Sequence, residues 1–285
     1  MITIVWLTVA IGAAPLALGV WLSRPRPAGA RFSAPVGAIL YCALAFNLTF
    51  FWQELWLVIP KALTPGLHPV LFHNNHTWTG DSRWVDLLQG TGAVATLVSG
   101  LAFAAALRLV RLRSPTWRSF AFWMAFQGLY QSLSQVALGT LLPGNDMGRA
   151  LAFLGLNEAA KLTLLALAVL AMALAGGWLA RAYPANRGTS DAPGGRAFAY
   201  SMFATTMLSI LVLVPFREPR DLVEVAVVPL VVHLTGTGWV VLGSARIRAT
   251  RPASEGPEPS LLVAVLGLAA TLALFQLILR PGIAF

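Results

Sequence analysis

Eight stretches of this chain run for about 20 residues with almost no charge, which is the length a helix needs to cross the hydrocarbon core of a bilayer. They fall near 2–22, 36–59, 86–107, 119–142, 150–179, 197–216, 223–245 and 260–279. Only 11% of the 285 residues are charged, whereas a soluble domain carries about 25%. Most of the surface must therefore face something other than water. The expected fold is an all-α polytopic membrane protein of about eight transmembrane helices, with the lipid bilayer as its first partner. The N-terminus is apolar from Ile2 and has no basic residue before Arg24. The first segment is accordingly read as a retained helix, since a cleaved signal peptide needs a positive n-region.

Short signals recur in the same order in the two halves. Trp21-Leu-Ser-Arg24-Pro-Arg-Pro27-Ala28 is echoed by Trp178-Leu-Ala-Arg181-Ala-Tyr-Pro184-Ala185, and Ala34-Pro35-Val-Gly37 by Ala192-Pro193-Gly-Gly195. Val58-Ile-Pro60, Gly90-Thr-Gly92 and Leu142-Pro143-Gly144 are matched by Leu213-Val-Pro215, Gly236-Thr-Gly238 and Arg280-Pro281-Gly282. An ordered set of matches argues for a tandem duplication. It divides the chain into a first four-helix unit, 1–145, with an extended outer loop at 60–85, and a second unit, 146–285. The paired Gly-Thr-Gly segments lie inside helices, where small residues serve close packing.

The net charge of +9 does not indicate a nucleic-acid partner, because the arginines sit in short loops and not along one helix face. Thirteen basic residues fall in alternate loops: Arg24, Arg26 and Arg31; Arg108, Arg111, Arg113 and Arg118; Arg181, Arg187 and Arg196; Arg246, Arg248 and Arg251. The other side holds six: Lys61, Arg83, Arg149, Arg217, Arg220 and Arg280. Positive loops stay in the cytoplasm, which places both termini outside. The excess of Arg over Lys suits a GC-rich bacterial genome, so the expected location is a bacterial cytoplasmic (inner) membrane, multi-pass. Cys42 is the sole cysteine and lies within a span, so there is no disulfide framework.

An ionisable side chain near the bilayer centre costs about 2.5–3.5 kcal/mol on insertion scales, so each such residue needs a reason. Helix two carries Asn47, Gln53, Glu54 and, at its outer end, Lys61; residues 47, 54 and 61 share a face. Helix four carries a ladder of Gln127, Gln131 and Gln135. Helix five carries Asn157, Glu158 and Lys161, with the last two three residues apart and able to pair. Asp86 opens helix three, and His233 sits midway along helix seven. These groups concentrate in the outer halves of their helices, which favours a pocket reached from outside over a polar route through the membrane. The plain alternatives are a self-neutralised Glu158–Lys161 pair, interhelical hydrogen bonding by the glutamines, and a packed interior His233.

The second loop holds three of the four histidines, His68, His73 and His76, with Asp81 close behind. Imidazoles with a nearby carboxylate suit zinc, copper or iron, and a divalent metal held by His68, His73, His76 or His233 is one expectation. An interfacial loop with Trp78 and Trp84 in the aromatic belt and a proton relay are the others. No His-Glu-x-x-His, Gly-x-Ser-x-Gly or Walker pattern occurs. The leading expectation is a membrane-embedded enzyme acting on a lipid-like or apolar substrate, with Glu54, Glu158 and Lys161 as its catalytic candidates. A transporter or channel with parallel repeats, and a non-catalytic subunit or assembly factor bound to membrane-protein partners, are the alternatives.

Overall fold

A computed structural model of the protein describes residues 2–25, 34–109, 114–183, 194–217, 222–247 and 258–285. The chain is mainly helical, and among the described residues seven helices are long and apolar enough to cross a membrane. In chain order the described elements are α1 (2–22), α2 (Val36–Ala62), strands β1 (Leu67–Leu71) and β2 (His76–Gly80), α3 (85–109, with a turn at Gln89-Gly90), α4 (Pro115–Leu141) and α5 (Asp146–Phe153). There follow α6 (Glu158–Ala182), α7 (Arg196–Phe216), α8 (Val223–Ser244), α9 (Leu261–Leu279) and β3 (Ile283–Ala284). The long helix outside the seven is α4. It is as long as α2 at 27 residues, but its Ser and Gln lower its hydropathy, and it is buried along most of its length.

The ends of the helices sort into two groups. Arg24 exchanges backbone hydrogen bonds with Gly194 and Arg196, and its guanidinium donates to Ile247 O. Ser260 N donates to Thr116 Oγ1, and Tyr41 OH donates to Ser260 O. These contacts gather the first, third, fifth and seventh connections at one end, the arginine-bearing end. Arg26, Arg31, Arg111, Arg113, Arg187, Arg248 and Arg251 lie outside the described residues, as do Arg220 and the repeat positions 27, 28, 184, 185, 192 and 193.

The two halves of the chain interlock. α1 packs on α8, α2 on α7 and α9, and α4 on α6 and α8. A single apolar core draws on helices from both halves. Close approach depends on glycine. A Cβ on Gly100 would stand 2.6 Å from Leu129 N where α3 crosses α4, and one on Gly238 would stand 2.4 Å from Gly12 O where α8 crosses α1. Such contacts bring backbones together where lipid offers no hydrophobic drive. Towards the arginine end the core becomes aromatic: Phe122, Trp123, Tyr183 and Phe198 pack with centroids 5.0–5.3 Å apart.

At the opposite end the expected loop 60–85 is a folded β-hairpin, so the chain is not wholly α-helical. β1 and β2 pair antiparallel with Leu67 opposite Gly80 and Leu71 opposite His76, and the C-terminal β3 adds to the free edge of β1. Gly66 and Gly80 take φ of +84° and +89°, a region glycine enters without penalty. Alternate residues of β1 face inward, and Leu71 packs with Val58, Phe275 and Leu279 in a small second cluster that anchors the hairpin to α2 and α9.

The expected span 150–179 is corrected. Asn145 caps α5 by accepting from Gly148 N at 2.6 Å, and Asn157 caps α6 by accepting from Ala160 N at 2.9 Å. Between them Gly155 takes a positive φ of 64°. Two N-caps and a glycine turn break what reads in sequence as one apolar run. As a result Asn157, Glu158 and Lys161 stand at the start of a helix and not in its middle.

Candidate functional site: a polar cavity under the hairpin

The site begins with a proline. Pro60 lies inside α2 and has no N–H to give the carbonyl of Trp56. Thr91 Oγ1, from the start of the long part of α3, lies 2.6 Å from that oxygen. α2 therefore continues to Ala62 and carries Lys61 beneath the hairpin.

Lys61 is fully buried. Its ammonium has three N–H groups and three acceptors at hand: Leu57 O at 2.8 Å, Gln89 Oε1 at 3.2 Å and His76 Nε2 at 3.2 Å. The other imidazole nitrogen, His76 Nδ1, is 2.7 Å from Glu54 Oε2, with both side chains over nine-tenths buried. A charged Lys61 can only donate to Nε2, so Nδ1 carries the imidazole proton and donates to Glu54. Charge is thus spread along Glu54–His76–Lys61 with its hydrogen-bonding atoms paired, the condition for holding ions away from water. Trp78, two residues on in the same strand, stacks on His76 with centroids 5.6 Å apart. The Lys61 Nζ and Arg149 Cζ lie 5.1 and 5.3 Å from its ring centre.

Glu54 and His76, with Lys61 behind them, form one wall of a cavity of about 500 Å3. Gln53, Glu54 and Phe50 come from α2, Asn74, Asn75, His76 and Trp78 from the hairpin, and Gln131, Ser134 and Gln135 from α4. Asp146 and Arg149 come from α5, and Val228 and Val232 from α8. Gln53 Oε1 gathers the ladder: Gln131 Nε2 donates to it at 2.6 Å, and Gln135 Nε2 donates to the same oxygen. Arg149 is fixed by Asp86 at 2.7 Å. Asp146 makes no ion pair among the described residues. Burial pushes its carboxyl above the usual Asp range, and the nearby Glu54 charge pushes the same way, against the opposing pull of His76, Lys61 and Arg149.

The structure brings together Gln53, Glu54, Lys61, His76, Asp86, Gln131 and Gln135 of the residues singled out by sequence, and leaves the others elsewhere. Asn47 donates to Ala43 O of its own helix. Gln127 lies deeper, 3.1 Å from His233 Nε2, which is also 3.2 Å from Ser209 Oγ, while His233 Nδ1 reaches Pro229 O at 2.7 Å. Glu158 and Lys161 pair at 3.0 Å with the Glu158 side chain 84% exposed, so neither faces the cavity. His68 is exposed on β1, and His73 stacks on Phe275 with its Nε2 3.0 Å from Phe216 O. Among the described residues no three of His, Cys, Asp and Glu come together where an ion could be held. The four histidines do not converge on one point.

Residues that sequence reasoning passed over are Asp146, Arg149, Asn74 and the face of Trp78. The signal for the first two was the Pro143-Gly144-Asn145-Asp146 string, a turn followed by an Asn N-cap and an acidic first turn. Such a segment delivers charge to a helix start opposite the hairpin. No family model matches the chain, nor does any curated protein or solved structure.

Proposed function

We propose that all eight long helices cross a bacterial cytoplasmic membrane, with both termini and the hairpin on the outer side, and that the cavity is the reaction site of a membrane-embedded enzyme acting on a lipid-like substrate. The orientation rests on the arginine excess at the far end. The ordered sequence echo is taken as the trace of a duplicated four-helix unit whose copies have since interlocked. The observation that carries the enzymatic reading is the Glu54–His76–Lys61 chain on a cavity wall, with a second carboxyl, Asp146, in the same cavity. Carboxyls at one site with different partners are driven towards different proton affinities, which is how an acid and a base are kept side by side.

In this reading Glu54 is the base. His76 is a positioning residue, since both its nitrogens are engaged. When Glu54 takes a proton from substrate, the negative charge facing Lys61 disappears. The Lys61 ammonium, still donating to His76 Nε2, then balances the negative charge left on the substrate, and once Asp146 has protonated the product the proton held by Glu54 passes back to Asp146 through the cavity. Asp146, whose carboxyl is raised, returns a proton as the acid. The aromatic packing towards the arginine end supports a site entered from one side more than a transport route.

The test compares lipid extracts from cells producing wild type, Glu54→Gln and Asp146→Asn proteins at equal levels in the membrane. A lipid class changed by wild type and untouched by either variant is the expected result. Identical extracts from all three would remove the enzymatic reading and favour a subunit or transporter role.

A further inference from the structure

A second hollow, of about 610 Å3, lies beside the cavity between α2, α3 and α5. Trp52 and Trp56 form its floor, with Val94, Val98 and Leu154 along its sides. Two of its polar side-chain atoms are already engaged: Trp52 Nε1 donates to Ala95 O at 3.2 Å, and Thr91 Oγ1 lies within 2.7 Å of Trp56 O and Leu88 O. A molecule lying there meets almost only carbon, which suits a hydrocarbon chain. Val94 and Val98 are more than half exposed, so the groove opens sideways where lipid chains run.

Groove and cavity share a wall. Met147 lines both, and the chain passes from cavity to groove between Gln89 and Gly90. The wall is thin because Gly90 lets α3 approach α5: a Cβ there would stand 2.9 Å from the Ala150 Cβ. Met147, unbranched and adaptable, is the movable part of it. On the polar side the Glu54 carboxylate calls for a hydrogen-bond donor, the carbonyl oxygen of the Asp146 carboxyl can accept another, and the Arg149 guanidinium, held on its Asp86 side, suits a phosphate oxygen.

We infer that one amphiphile occupies both spaces, its acyl chain in the Trp52–Trp56 groove and a phosphate head bearing an amine in the cavity beside Arg149, Asp146 and Glu54. The inference rests on the cavity being the ligand site and deepens the proposed function by naming the substrate class.

The test uses the full chain in nanodiscs of phosphatidylcholine, photolabelled with trace phosphatidylethanolamine or phosphatidylcholine carrying a diazirine on one acyl chain. The expected result is labelling concentrated on residues 85–98 and 147–154. The ethanolamine probe, whose head can donate hydrogen bonds, should exceed the choline probe by about tenfold, the effect of a charge-assisted contact or two. Val94→Trp, a change on a lipid-exposed surface, should abolish that labelling, and Asp146→Asn should remove the preference between heads. Equal labelling by both probes, or labels spread evenly around the bundle, would reduce the groove to boundary lipid and overturn the inference. Head-selective labelling without any lipid conversion in cells would sink the enzymatic reading alone, leaving a lipid-binding site.

Discussion

Glu54 on α2 and His76 on β2 meet at 2.7 Å, and the imidazole they share with Lys61 ties the hairpin to the helix beneath it. Removing one member of such a chain leaves a buried charge uncompensated, which typically costs about 3–5 kcal/mol. Lys61→Met and Glu54→Gln should each lower the thermal unfolding temperature in detergent. The double variant should lose less than the two losses combined, by about 0.5–3 kcal/mol. Strict additivity would mean that the two residues do not act through His76.

Gln53 Oε1 accepts from both Gln131 and Gln135, so it serves two donors at once. Gln53→Leu leaves both amides searching for a partner, at about 1–3 kcal/mol for each buried group left unsatisfied. Gln135→Leu removes a single partly buried donor and should cost nearer 0.6 kcal/mol, the average for an interhelical side-chain bond. Equal losses from the two substitutions would show that the ladder is not gathered on Gln53.

Asp146 gives the site a pH dependence whose sign follows from its raised proton affinity. Burial and the Glu54 charge make the folded protein hold this proton more tightly than the unfolded chain does. The stabilisation is complete below the unfolded value of about 3.9 and is lost as the pH climbs through the raised folded value. Asp146→Asn should therefore unfold at a higher temperature than wild type at neutral pH, and at the same temperature at the acid end. The gap should narrow in a Glu54→Gln background, where the second cause of the shift is gone.

Glu158 and Lys161 supply the contrast. Their pair is exposed and sits in the first turn of α6, where an i,i+3 pair contributes about 0.2–0.5 kcal/mol at most. Glu158→Ala should leave both the head-selective labelling and any lipid conversion intact. Asn157→Ala, which removes the cap of α6, should cost more, at about 1 kcal/mol. A loss of conversion in Glu158→Ala would return these residues to the site.

The long apolar helices were legible because charge is so sparse outside the loops, and the polar face of α2 because Gln53, Glu54 and Lys61 have no other reason to be in a membrane helix. The hairpin was not legible. Its pairing partner, Ile283-Ala284, lies some 210 residues downstream of β1 and carries no strand signal of its own. Lys61 looked interfacial by position, and only the hairpin folded over it makes it buried. Glu158 and Lys161 were misplaced because the caps Asn145 and Asn157 were hidden between apolar residues. Arg149 was read only as a basic residue of the outer side and Asp146 was not singled out, since nothing local says that a turn on one helix pair will face a hairpin on another.

The account stands on the cavity being open on the side opposite the arginine-bearing loops. Cys42 is the only cysteine and is fully buried, so single cysteines can be added to an almost silent background. Asn75→Cys at the rim and Ser134→Cys in the depth of the cavity should both react, the first faster, with a charged, membrane-impermeant maleimide added to intact cells. Folded protein in which both cysteines react only after the cells are opened, or in which Ser134→Cys stays unreactive from either side, would contradict it.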